Sequence, residues 1–510
     1  MKKFITGAAL SAVLLAGSTL ADDKKKYANP PVKEPQVFTT EKSGTFGGKK
    51  INYRTIAGDT FTYMENGEAD ATFFAYEYIK KDVKDPSTRP VTFVFNGGPG
   101  SASMWLHMGV FGPKRAVIPS DPDDDGAAPY KVMDNPETVL DATDLVFIDP
   151  IGTGMSRSLG DNNPQKHWGV LEDGKSVARF IRQWVQNNNR WNSPKFIAGE
   201  SYGTVRSAVL ADELTNRHNI GLNGIMLISA VLDYQNSRIQ DGSIMSYVSF
   251  LPSYAATAWY HNKLPNKPAN LEAFLNEVRE FAAGEYAQAL IQGNRLSTAQ
   301  EQAIIDKLHA YTGLKKQYLK NTNMRIHVFR FFKELMRDEG KVVGRLDSRY
   351  LGEEPDAAGE FFSGDPFAYA SGNAFNVAIN SHLTDFMGVD FSKPELGRRI
   401  YNMSARASKG WKWNWNVWGK SVPNGGRFVN VIPYLGKAMR RNKDMGVLVT
   451  SGYYDFATPF FGAENALAEV DIVKDRVEYT YYEAGHMMYV HEPSRLKFLN
   501  DIRDFIKKYE

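Results

Sequence analysis

Five short apolar runs constrain this chain more than any other feature: VTFVFN from Val91, DLVFIDP from Asp144, KFIAG from Lys195, GIMLISAV from Gly224 and GVLVTSG from Gly446. Each is nearly continuous in apolar residues instead of alternating, the pattern of a strand buried on both faces. Helix-forming stretches lie between them, such as Leu171–Asn187 and Val205–Thr215. Parallel strands need such crossovers, so the pattern predicts an α/β fold with a mixed, mainly parallel sheet and helices on both faces. Two β-rich runs, Lys50–Tyr63 and Ala71–Ile79, precede the series and are joined by Glu65-Asn66-Gly67-Glu68. Asn-Gly there predicts a hairpin whose two turn residues both take positive φ. Before it, Asp22 to about Thr40 is Lys- and Pro-rich and reads as an irregular lead-in. VEYTYYEAG from Val477 supplies the last strand, and Pro493–Tyr509 a closing amphipathic helix with Leu496, Phe498, Leu499, Ile502 and Phe505 on its apolar face.

The rhythm breaks between Tyr234 and Phe428, where helix formers and aromatic residues dominate and strand signals are few. An insertion of this length between two sheet strands reads as a helical lid. The expected organisation is therefore 1–21 as a signal peptide, 22–234 and 429–510 as the two parts of the sheet domain, and 235–428 as the lid. Lys2 and Lys3 followed by a short apolar stretch and Thr19-Leu20-Ala21 have the form of a cleaved export signal. The expected location is periplasmic or extracellular, with no membrane span after signal removal. The formal net charge is +3 over 510 residues, with no basic face that would suit nucleic acid. Cysteine is absent, which excludes disulfides, thiolate catalysis and zinc–thiolate sites. No cofactor and no metal site is expected, and the sequence leaves the oligomeric state open.

Gly199-Glu200-Ser201-Tyr202-Gly203 closes one of the buried runs and opens a helical stretch. G-x-S-x-G in that strand–turn–helix setting is the nucleophile elbow of an α/β-hydrolase, and Ser201 is its candidate nucleophile. A serine N-cap after a strand gives the same local pattern, so partners decide. In this architecture the acid and then the histidine follow the serine. Of nine histidines only His486 and His491 lie beyond the late strands. His486 follows VEYTYYEAG directly, whereas His491 starts the closing helix and reads as structural. Asp455 falls just after GVLVTSGYY; Asp471 and Asp475 compete but lie in a charged connection. An oxyanion hole needs backbone N–H donors, one from Tyr202 and one from the glycine-rich loop Asn96-Gly97-Gly98-Pro99-Gly100.

FNGGPGSASMWLHMGVFGP, DLVFIDPIGTGMSRS, IAGESYGT, TSGYYDFATP and EAGHMMYVHEP, in this order, resemble the serine carboxypeptidase family, and the lack of a disulfide pattern makes it similar to a bacterial-type member. The resemblance implies hydrolysis of C-terminal peptide bonds in peptide or protein substrates. It implies Ser201, Asp455 and His486 as the catalytic triad and Gly98 and Tyr202 as oxyanion donors. It also implies that Asn96, Gly97 and Glu200 hold the substrate's terminal carboxylate. An amide, a backbone N–H and a protonated carboxyl can all donate to a carboxylate. The family usually has a further glutamate shortly before the Gly-Pro that is Gly112-Pro113 here, but this chain has His107-Met108-Gly109-Val110-Phe111. That departure leaves Glu200 tuned by burial alone or the recognition altered. Gly203-Thr204 also replaces the family's common Ala-Gly. An aminopeptidase, esterase or acyltransferase would share the same triad, and a binding protein on a hydrolase scaffold would share the fold. Trp411, Trp413, Trp415 and Trp418 read as lid core or as the mouth of the site, with lid core preferred.

Overall fold

A computed structural model describes residues 34–510, apart from 125, 161, 241, 394, 395, 397, 398 and 419–427. The expected signal peptide lies outside the described residues. The main sheet contains β1 (Val37–Phe46), β2 (Lys49–Tyr63), β3 (Ala69–Lys80), β4 (Val91–Phe95), β5 (Asp144–Ile148), β6 (Lys195–Glu200), β7 (Gly224–Ile228), β8 (Gly446–Gly452) and β9 (Val477–Tyr482). Their order is β1-β2-β3-β5-β4-β6-β7-β8-β9, and the two-residue strand Arg157–Ser158 pairs beside β3. The first three strands and the β3–β5 pair are antiparallel, and every pair from β5 to β9 is parallel. This is the mixed, mainly parallel sheet of an α/β-hydrolase, and the five apolar runs form its centre.

Alternation along each strand feeds two cores. In β6, Phe196 and Ala198 join one cluster with Met226, Ile228 and Leu448. The closing helix, Glu492–Tyr509, covers that face with Phe498, Leu499, Ile502 and Phe505. Ile197 points to the other face, where Phe93, Val146 and Leu227 meet helices α1 (Val170–Asn187) and α2 (Tyr202–Arg217).

Three local expectations need correction. The lead-in is not irregular up to Thr40: β1 begins at Val37 and pairs from Val37↔Gly58 to Phe46↔Lys49. Its residues are mostly half or fully exposed, so no apolar alternation announced it. In the hairpin only Gly67 takes positive φ, at 85°, and Asn66 does not. On the closing helix Leu496 is 40% exposed and lies off the buried face.

Between β7 and β8 the described residues are mainly helical, with the short strands Lys341–Val343 and Leu351–Glu353 paired to each other. The first part, including α3 (Met245–Tyr260), builds a third core around Phe250, Tyr254, Phe331 and Phe332. The later part returns to the sheet: Phe375 and Ile379 of α4 (Pro366–Ser381) join one face's core, and Trp413 and Val417 join the other.

Candidate active site

The site is built at the C-terminal ends of the central strands. Ser201 stands between β6 and α2 with φ 60° and ψ −128°, a strained conformation for a non-glycine residue. Its N–H donates to Ile228 O at 2.9 Å, which ties the elbow to β7. Thr204 secures it from below: its hydroxyl donates to Ser201 O at 2.7 Å, and Val231 N donates back to Thr204 Oγ1 at 3.0 Å. The glycine-rich loop lies directly against the elbow. A Cβ on Gly97 would come within 2.6 Å of Glu200 O and 2.7 Å of Gly203 N, so only glycine permits that approach. Fully buried Arg206 braces the junction, donating to Asp173 Oδ2 at 2.7 Å and to Asn96 O at 2.6 Å.

His486 and Asp455 come from loops after β9 and β8. His486 Nδ1 donates to Asp455 Oδ2 at 2.7 Å, which leaves Nε2 as the free ring nitrogen. Asp455 is itself held by Ala457 N at 2.7 Å, Thr458 N at 3.1 Å and the Thr458 hydroxyl at 2.6 Å. Burial pulls the His486 pKa down, but the charge and hydrogen bond of Asp455 outweigh it and leave the imidazole above its ordinary value. Two bonds fix the histidine backbone: His486 N donates to Leu346 O at 2.6 Å, and Ser229 Oγ donates to His486 O at 2.6 Å. The competing carboxylates sit elsewhere, Asp471 paired with Arg440 and Asp475 exposed. His491 caps the closing helix and binds Ser494 through Nδ1 at 2.8 Å.

Asn96, Gly97, Gly98, Glu200, Ser201, Tyr202 and His486 all line one cavity of about 650 Å³. Asp455 stands behind His486, away from the cavity wall. Glu200 is 3% exposed, and burial pushes its carboxyl up to about 7 against the opposing charge of His486 and hydrogen bonds from Tyr489 and Asn96. The Tyr489 hydroxyl donates to Glu200 Oε2 at 2.8 Å. Leu106 N donates to Asn96 Oδ1 at 3.0 Å, which turns the Asn96 amide N–H groups toward Glu200 and Tyr489.

Burial therefore does not tune Glu200 alone. His107–Phe111 forms one π-helical turn, and a Cβ on Gly109 would lie 2.5 Å from the Tyr489 ring. The glycine opens the space into which Tyr489 reaches, so a phenol meets the carboxyl in a chain that lacks the second glutamate. Sequence reasoning missed Tyr489, which sits in an unremarkable MMYVHEP stretch, and also His327, which reaches the cavity from the insertion. Of the four tryptophans, Trp415 lines the cavity; all four pack with the α1/α2 core of the sheet and not with the insertion's own core.

The serine carboxypeptidase family profile matches residues 58–500. The chain belongs to the serine carboxypeptidase family. Among individual relatives, serine carboxypeptidase-like 16 of Arabidopsis thaliana is 28% identical over 37% of this chain and 44% of its own length. Serine carboxypeptidase-like 36 of the same plant is 29% identical over 33% of each. This chain thus spans less than half the length of those curated relatives. Among solved structures, the Kex1 prohormone-processing carboxypeptidase of Saccharomyces cerevisiae is 15% identical, with 88% of this chain and 92% of that chain covered and a TM-score of 0.49. Within this cavity Glu200 is met by the Tyr489 hydroxyl and not by a second carboxyl.

Proposed function

We infer that this chain is an exported serine carboxypeptidase of bacterial type that releases C-terminal residues through an acyl-enzyme. Residues 235–428 act as its lid, and the pattern of Met1–Ala21 supports export to the periplasm or medium. Ser201 attacks the last peptide carbonyl while His486 Nε2 takes its proton, and Asp455 holds the imidazole in the required tautomer. The backbone N–H groups of Gly98 and Tyr202 bind the oxyanion; in support, Tyr202 opens α2, where a first-turn amide has no carbonyl partner within the helix. His486 then protonates the departing amine, and water, activated by the same histidine, frees Ser201.

The observation that carries the reading is Glu200. It is a buried carboxyl, pushed up to about 7, in the cavity that contains Ser201, beside the Asn96 amide and with Gly97 in the same wall. A neutral carboxyl and two N–H donors suit a carboxylate, which an internal peptide segment does not offer. The test is an N-blocked dipeptide with a free or amidated C-terminus. The free acid should be cleaved and the amide should lose at least about a hundredfold in kcat/KM, the scale of a lost charge-assisted clamp. Equal turnover of both would remove the clamp and leave a hydrolase that does not read the C-terminus; an aminopeptidase, which needs a free N-terminal amine, would cleave neither. Ser201→Ala should abolish turnover while the circular dichroism spectrum stays that of the wild type.

A further inference from the structure

The same cavity contains a second charged feature. Arg238, Arg345 and Arg406 line it, and Glu200 is its single carboxylate among the described residues. None of the three arginines has a carboxylate within ion-pair distance among the described residues. Each is nonetheless placed by other contacts. The Arg238 guanidinium lies over the Tyr234 ring at 4.6 Å and the Trp415 ring at 4.7 Å. Arg406 donates to Gly98 O at 2.6 Å and to Pro99 O at 3.1 Å. Arg345 is anchored through its backbone, with N donating to Asp365 Oδ1 at 3.1 Å and O accepting from Phe456 N at 3.1 Å. The three converge: burial pushes the Tyr234 hydroxyl up to about 12, and the charges of Arg238, Arg406 and Arg345 all act on it in the opposite direction.

Asp365 offsets Arg345 only at longer range than an ion pair, so the like charges at the cavity repel one another, and an incoming anion relieves that repulsion. The cluster is separate from the Glu200 anchor, whose strongest charged neighbours are His486 and Asp455. Arg238 puts it on the Tyr202 flank of the nucleophile, since Trp415 beneath that guanidinium packs on both Tyr202 and Tyr234, at 6.1 and 5.4 Å between centroids, and Arg345 completes it from the side of His486. Tyr202 donates to the oxyanion, so that flank receives the acyl part of a substrate whose leaving residue is held at Glu200.

We propose that Arg238, Arg345 and Arg406 form a subsite for an acidic side chain on the acyl side of the scissile bond, so that the enzyme prefers peptides with Glu or Asp before the C-terminal residue. This rests on the carboxypeptidase reading for its geometry. The experiment compares N-blocked Glu-Ala with Gln-Ala, and N-blocked Ala-Glu with Ala-Gln, as free acids. Glu-Ala should exceed Gln-Ala by at least about tenfold in kcat/KM, with the gap narrowing in high salt, while Ala-Glu and Ala-Gln should differ less. In Arg238→Gln and Arg345→Gln the Glu-to-Gln ratio should fall toward one, and Arg238→Lys should restore part of it. A wild-type ratio near one, or a ratio unmoved by both glutamine variants, would overturn the subsite. Turnover of all four peptides without that preference refutes this inference and leaves the carboxypeptidase reading standing. If no peptide is cleaved, the carboxypeptidase reading fails instead. Calorimetric binding of the same Glu and Gln peptides to Ser201→Ala then decides the charge preference independently of catalysis.

Discussion

Tyr489 is held in place by a residue that does nothing chemical itself. Gly109 leaves room for the ring, and the ring carries its hydroxyl 2.8 Å from Glu200. A donor to the ionised carboxylate favours ionisation, so Tyr489 holds the Glu200 pKa below the value burial alone would give. The sign for binding follows. On the proposed reading the protonated Glu200 would donate to the substrate carboxylate, and that donor is lost as pH rises through about 7. KM for free-acid peptides should be flat below that point and climb about tenfold per unit above it. KM for a simple ester without a terminal carboxylate should show no such limb. Tyr489→Phe should move the limb to higher pH and raise the plateau KM several-fold, and an unmoved limb would exclude this role for the phenol. Glu200→Gln keeps a donor without a titrating proton, so its KM should be independent of pH across the same range.

At the scale of elements, the positions of the strands were legible because burial on both faces leaves a signature in the residues themselves. KFIAG, GIMLISAV and GVLVTSG needed no partner to declare what they are, and the ends of KFIAG, GVLVTSG and VEYTYYEAG pointed to Ser201, Asp455 and His486. What sequence could not show were features produced by approach in space. β1 is an edge strand with mixed exposure and no apolar period, so only its pairing with β2 defines it. Tyr489 gains its meaning from Gly109, 380 residues earlier in the chain. Thr204, a departure from the family pattern, becomes intelligible only when α2 is set against the β7 loop, where its hydroxyl joins Ser201 O to Val231. Thr204→Val keeps the shape but leaves Val231 N and Ser201 O without this partner in a buried place. It should cost about 1–3 kcal/mol of stability. It should also lower kcat more than it raises KM, because the elbow's strained backbone loses a restraint; thermal unfolding and steady-state kinetics on one blocked dipeptide measure both.

At the scale of the molecule, the insertion is not a detachable cover. Tyr454 and Phe456, the neighbours of Asp455, belong to the insertion's core and not to either sheet core. The Phe456 ring sits 5.4 Å from Phe331 and 5.5 Å from Phe332. The histidine loop is clamped from the same side, with Gly485 N donating to Asp347 Oδ2 at 3.1 Å and His486 N to Leu346 O. The sheet thus supplies the strand ends, but the Asp455–His486 pair is set by the segment between β7 and β8. An insertion that melted first would take the Asp455–His486 pair with it and leave Ser201 unactivated. Its melting and the loss of serine reactivity should therefore be one event. Phe331→Ala removes a fully buried ring from that core and should destabilise it by about 3–5 kcal/mol. Labelling of Ser201 by a fluorophosphonate, followed during heating beside far-ultraviolet circular dichroism, should fall in step with the first loss of helical signal, and earlier in Phe331→Ala than in the wild type. Labelling that persists after that loss would show the triad standing on the sheet alone.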